Sequence, residues 1–237
     1  MLAIYLRELR SYFTTPIGYV FAGMFLAVSG GLFSAIVLLP ENPDTALMPM
    51  YFLTLLFVFA ILIPLLTMKL FADDRRTKSE QILLTAPISL GAMVIAKYLA
   101  ALTVFTAVLL VNSFNFYLLY IYGTPSFSYL FINVLTLFLI GAAFIAVGVF
   151  VSALTESQLN AAIGSMGIIV VILILGLLVD SIPIEWMRSI IRWFSIIDRY
   201  ATMTSGILDL SAVVYFISFA AVFLFLTVRV YEKRRWS

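Results

Sequence analysis

Charge is missing from five long stretches of this 237-residue chain. Ser11–Pro40, Thr45–Met68, Tyr98–Thr155, Ser157–Val179 and Leu210–Val228 contain no Asp, Glu, Lys or Arg. A helix of roughly 20 apolar residues crosses the core of a bilayer. Four of the stretches hold one crossing each. Tyr98–Thr155 is long enough for two, folded at Gly123-Thr124-Pro125. The pattern predicts an all-α integral membrane protein with six transmembrane helices, near 17–39, 49–70, 91–122, 128–154, 158–179 and 211–230. Such boundaries are good to about four residues. Almost no chain is left for a soluble domain, so residues 1–237 read as one membrane domain acting within or across the bilayer.

Composition narrows the chemistry. Hydrophobic residues make up 64% of the chain and charged ones 11%, against about 25% charged in soluble proteins. There is no cysteine, hence no disulfide framework and no thiolate chemistry. There is no histidine either, which removes the commonest general base and transition-metal ligand. A net charge of +2 is too small to point to nucleic acid. Arg7 and Arg10 precede an apolar run of full span length with no small-residue cleavage site close behind, so the first helix is expected to be retained.

The basic residues set the expected orientation through the positive-inside rule. With the N-terminus in the cytoplasm, 11 of the 14 basic residues fall inside, and only Arg188, Arg192 and Arg199 fall outside. Both termini are then cytoplasmic.

Three segments outside the spans carry information. In residues 1–16, Leu2, Tyr5, Leu6, Leu9, Tyr12 and Phe13 recur at helical spacing, with Arg7, Glu8 and Arg10 off that stripe. This predicts an amphipathic helix in the inner interface, turning at Pro16. In the outer segment 180–209, Trp186, Ile190, Trp193 and Ile197 form one stripe, predicting an interfacial or re-entrant helix over 185–197. For both, simple membrane anchoring is an equal alternative. The third segment is the loop 72–89. Its charged run includes Asp73, Asp74, Arg75, Arg76 and Glu80 and is followed by Ile82, Leu83 and Leu84 and then Pro87. An apolar turn after a charged run points to docking of a partner, or to rest on lipid headgroups.

This loop, TMKLFADDRRTKSEQILLTAPIS followed by Ala96-Lys97, resembles the hallmark stretch of type-2 ABC exporter permeases. Arg7 to Tyr19 is similar to the entry segment of the same family. The blocks Phe194–Ile197, Ser205–Leu210 and Val214–Phe216 resemble the gliding-motility-associated branch of permease subunits. The motif's last acid falls on Gln81 here, with Glu80 one residue earlier, a shift of about 100° around a helix. The resemblance implies a half-transporter of the bacterial cytoplasmic membrane. Its partners would be a cytoplasmic ABC ATPase dimer, a second permease subunit, identical or different, and an accessory membrane subunit, all within membrane lipid. ATP and magnesium would be bound by the ATPase. No G-x-x-x-x-G-K-[ST] occurs in the chain, so a nucleotide would lack its phosphate cradle here, and no catalytic, cofactor or metal residue is assigned. The implied ATPase-coupling residues are Asp73, Asp74, Arg75, Arg76, Glu80, Ile82, Leu83 and Leu84, with Arg7, Glu8 and Arg10 on the entry helix. A non-transporting transmitter or anchor driven by the same kind of ATPase is the alternative.

Inside the spans, Asn112 and Asn115 fall in the outer half of helix three and Asn133 in that of helix four. They could line a path, but interhelical hydrogen bonding is the favoured reading. Gly141, Gly148, Gly164 and Gly167 would allow close helix approach, and Pro64 should kink helix two just before the charged loop.

Overall fold

The computed structural model describes residues 1–38, 47–79, 88–117, 127–204 and 206–235. Helix α1 (Leu2–Thr14) ends where Thr15 turns extended, and Pro16 opens α2 (Pro16–Phe33), a position where proline's missing N–H costs nothing. A π-helical turn, Ser34–Leu38, follows. Helix α3 (Met48–Thr67) and the short α4 (Lys69–Arg76) are separated by a break at Met68. Ser89 caps α5 (Leu90–Asn112) by accepting from the Ala92 N–H. Next come α6 (Phe127–Leu154), α7 (Gln158–Leu178), capped by Ser157, and a 3-10 turn at Val179–Ser181. Two short helices, α8 (Glu185–Phe194) and α9 (Ile196–Thr204), lead to α10 (Leu210–Arg235). Among the described residues six helices are long and apolar enough to cross a membrane: Pro16–Val37, Met48–Arg76, Leu90–Tyr117, Phe127–Leu154, Gln158–Ser181 and Leu210–Arg235.

The bundle is organised around α6. Every residue from Leu139 to Val149 on it is buried, and it packs against α10, α3, α7 and α5. Two glycines make this closeness attainable. A Cβ at Gly141 would sit 2.2 Å from the Phe105 ring, and one at Gly148 would sit 2.1 Å from Thr67 Oγ1. Gly164 is tight only against Val151, and Gly167 faces open space.

Helical structure runs on through Pro64, and a break falls four residues later at Met68, whose N–H bonds the Pro64 carbonyl at 2.9 Å. One expectation needs correction. The outer amphipathic helix stops at Phe194 instead of reaching Ile197. Ser195 is extended there, and its Oγ accepts from the Asp198 N–H at 3.1 Å, capping a new helix. That helix turns Ile196, Tyr200 and Met203 inward against α6 and α7. The fold point 123–125 lies outside the described residues.

Candidate functional site

At the end of the bundle where α4 sits, α1, α4 and α5 meet over one buried lysine. Lys97 is 1% exposed. Its ammonium has three protons to donate. Two go to Glu8 Oε1 at 3.0 Å and the Leu70 carbonyl, and the ammonium forms an ion pair with Asp74 Oδ2 at 2.6 Å. Arg7 adds a second cation, 2.6 Å from Glu8 and 3.7 Å from Asp74. Two cations thus balance two carboxylates. Burial works against the Arg7 charge, but the Glu8 hydrogen bond and the charges of Glu8 and Asp74 outweigh it and raise its pKa. A buried, balanced pair adds little net stability, yet removing one member leaves an uncompensated charge. The arrangement therefore fixes the register of three elements more than it strengthens them.

A second lysine closes the other side of α1. Lys69 Nζ donates to Ser11 O (3.1 Å), Ser11 Oγ (3.0 Å) and Thr15 Oγ1 (3.0 Å), and lies 4.3 Å from the centre of the Tyr12 ring. It places a cation on the last carbonyls of α1, where the helix dipole favours one. Burial pushes the Tyr12 phenol well above its usual pKa, and the Glu8 charge adds to this. The phenol stays neutral and donates to the Leu66 carbonyl at 2.9 Å.

The far side of α4 is held by α6, α7 and the segment between them. The first N–H groups of a helix lack intrahelical acceptors. Ser152 Oγ on α6 accepts from the Phe71 and Ala72 N–H groups, both at 3.1 Å, and donates to the Met68 carbonyl at 3.0 Å. One hydroxyl thus mends the break between α3 and α4. Arg75 reaches the Leu154 carbonyl (3.1 Å) and Glu156 (2.6 Å), and Gln158 donates to Asp73 at 2.9 Å. Arg234 from α10 donates to the Ala153 carbonyl at 2.7 Å. Helix α4 ends at a turn where Lys78 takes φ +58°, and Ser79 Oγ donates to Asp74 Oδ1 at 3.0 Å. This joint leads directly into segment 80–87, which lies outside the described residues and holds Glu80, Ile82, Leu83 and Leu84.

A family described as ABC-2 family transporter protein matches residues 8–236, nearly the whole chain. The chain belongs to the ABC-2 transporter family. No curated protein matches it.

In this ABC-2 membrane protein, Arg7, Glu8 and Asp74 come together, while Asp73, Arg75 and Arg76 lie around the joint and Arg10 is exposed. Arg76 pairs with Asp73, one turn back, at 3.2 Å. Glu8 differs from its expected place off the apolar stripe. The buried face of α1 is Ile4, Glu8 and Tyr12, because Lys97 meets the carboxylate there. The hydrogen bonds of the polar residues in the opposite half fall in two places. Asn112 donates to the Tyr51 hydroxyl at 3.5 Å and accepts from Asn115 at 3.0 Å, while Asn133 donates to the Tyr129 carbonyl within its own helix at 2.8 Å. Two residues central to the joint, Lys97 and Ser152, were not among the expected site residues. Lys97 carried two signals, a lone cation at the edge of an apolar window and its place in the Ala96-Lys97 pair of the family resemblance. Ser152 carried none, being one of four serines in the uncharged run Tyr98–Thr155.

Proposed function

We propose that this chain is the permease subunit of an ATP-driven exporter, working with a second permease subunit and a separate cytoplasmic ABC ATPase dimer that binds the ATP and magnesium. Membership of the ABC-2 family supports a permease-type subunit. The observation that carries the coupling reading is the buried Lys97–Glu8–Asp74 network, which ties α1, the start of α5 and the charged extension of helix two into one unit at the mouth of loop 80–87. A push on that loop would then move α1, α4 and α5 together. Ile82, Leu83 and Leu84 would supply the apolar docking turn. The 11-to-3 division of basic residues supports a cytoplasmic joint, both termini inside, and a bacterial inner membrane. The C-terminal blocks between Phe194 and Phe216 favour the gliding-motility-associated branch.

The ATPase should co-purify with the chain in detergent. Leu83→Asp should abolish its recovery while the permease stays folded, because an unpaired charge would be buried in the contact. Undiminished recovery would sink the docking role. Single cysteines at Ser79 and Ser126 should label from opposite faces of a sealed membrane. The mixed-sign charge of the loop equally fits a non-transporting transmitter. Substrate-dependent ATP hydrolysis in liposomes distinguishes the two, since only the exporter shows it.

A further inference from the structure

Helix α10 ends in a charged turn, and one residue of that turn is hidden. Arg229, Glu232, Lys233, Arg234 and Arg235 surround Tyr231 in sequence, yet Tyr231 is 1% exposed. A tyrosine that only anchored a span would present its ring to the lipid headgroups. This ring is covered by protein instead. Its centre lies 5.0 Å from that of Phe71 on α4, with the ring planes tilted by 39°, within the range of favourable aromatic pairs. Phe71 is equally buried, and Lys97 Nζ lies over its ring at 5.0 Å. The Arg234 guanidinium lies over the Tyr231 ring at 5.3 Å and donates to the Ala153 carbonyl near the end of α6. Lys97, Phe71, Tyr231 and Arg234 thus form a chain of cation–ring and ring–ring contacts running from α5 through α4 to α10.

The other end of α10 is fastened too. The Tyr215 hydroxyl donates to the Phe194 carbonyl of α8 at 2.7 Å, and Arg199 of α9 donates to Ser211 Oγ at 3.0 Å. Between the two ends α10 is one unbroken helix of 26 residues, about 39 Å long at 1.5 Å per residue. Packed side chains joined by a rigid helix are the physical means by which a displacement passes between distant sites.

We propose that Tyr231 is a positioning residue that makes α10 follow α4, so that a movement of the coupling joint reaches α8 and α9 through the last span. This rests on the coupling reading above and extends it to the opposite half of the bundle.

The chain has no native cysteine, so a single nitroxide label reports one site. The full chain, purified with its ATPase in nanodiscs, carries the label either at Thr77→Cys, just past the end of α4, or at Trp186→Cys on α8; both positions are exposed. A non-hydrolysable ATP analogue should change the spectrum at both sites. In Tyr231→Leu the response at residue 77 should persist and the response at residue 186 should be lost. Tyr231→Phe, which keeps the ring, should retain both. Phe71→Leu breaks the same contact from α4 and should reproduce the loss, which keeps the test open if Tyr231→Leu fails to assemble. A full response at residue 186 in either leucine variant would assign the transmission to α6, which meets α4 through Ser152, and overturn the proposal. A response at residue 77 alone in the chain with Phe71 and Tyr231 intact would also overturn it, while leaving the coupling reading in place. Silence at both sites would overturn the two together.

Discussion

At the charged end of the bundle, Glu8, Lys69 and Lys97 are buried and each has a polar partner. At the opposite end, apolar groups are exposed and their charged neighbours lie in the open. Lys97 donates to Glu8 and the Leu70 carbonyl and pairs with Asp74, and Ser152 serves three backbone groups across the α3–α4 break. Trp193 and Phe194, by contrast, are both more than half exposed, and the nearby Arg192–Asp180 pair is also exposed. The difference is one of tolerance. A buried polar joint has few alternative arrangements, because any group that leaves strands a partner. An apolar surface against lipid has many, because hydrocarbon contacts are interchangeable. The first kind of region suits transmission of a movement, and the second suits adaptation to a bilayer.

The sharpest way to break this comparison is to remove the lysine. Lys97→Met should lower stability by about 3–5 kcal/mol, the cost of leaving buried carboxylates without their cation. Thermal unfolding in detergent reads it. Adding Glu8→Gln to Lys97→Met should return part of the loss, since the pair no longer strands that charge. A loss below about 1 kcal/mol would mean that the joint behaves like a surface ion pair, and the contrast between the two ends would fail.

Ser152→Ala comes next. It should cost about 1–3 kcal/mol, the penalty for buried backbone groups left without partners. Amide exchange at Phe71 and Ala72 should accelerate while exchange in the middle of α6 does not. Unchanged exchange at those two amides would rule out the hydroxyl as the mend between α3 and α4.

Overpacking sharpens the comparison further. Gly148→Ala places a methyl 2.1 Å from Thr67 Oγ1 and should cost about 1–3 kcal/mol, as crowding a packed interior does. Thr67→Ala in the same chain should relieve most of it. Bulk added on the exposed face of α10 by Val222→Trp should change stability by no more than about 0.5 kcal/mol, as expected away from packed features. Equal effects at the two sites would show that both ends are packed alike.

How much of this was legible in the sequence divides along the same line. The six spans could be read directly, because lipid excludes charge and the uncharged windows record that exclusion residue by residue. The joint was only half legible. Asp74, Arg7 and Glu8 stood out as charges, but the phase of α1 was misjudged. An apolar stripe placed Glu8 on the solvent side, and its burial depends on Lys97, 89 residues away. Ser152 was invisible for a related reason: its value comes from orphan N–H groups created by a break on another helix. At the opposite end the stripe through Trp186, Ile190 and Trp193 was read correctly as amphipathic, yet the helix end was missed. A serine cap at Ser195 interrupts a periodicity that continues on paper to Ile197.

The smallest expected effect is on the exposed pair Arg192–Asp180. The side chains are 55% and 76% exposed, so water competes for both and holding them together costs side-chain entropy. Such pairs are worth about 0–1 kcal/mol. Arg192 also faces Asp198, whose side chain is 36% exposed, at 3.8 Å, beyond hydrogen-bond distance. Arg192→Gln should therefore change the unfolding midpoint very little, and the difference should shrink further as salt is raised, because exposed charges are screened. Lys97→Met should keep its large effect at the same salt concentrations, since Lys97 and Glu8 are buried and buried pairs are screened much less. If both variants lose their effect together as salt rises, the joint is open to water and the two ends of the molecule follow the same electrostatic rule.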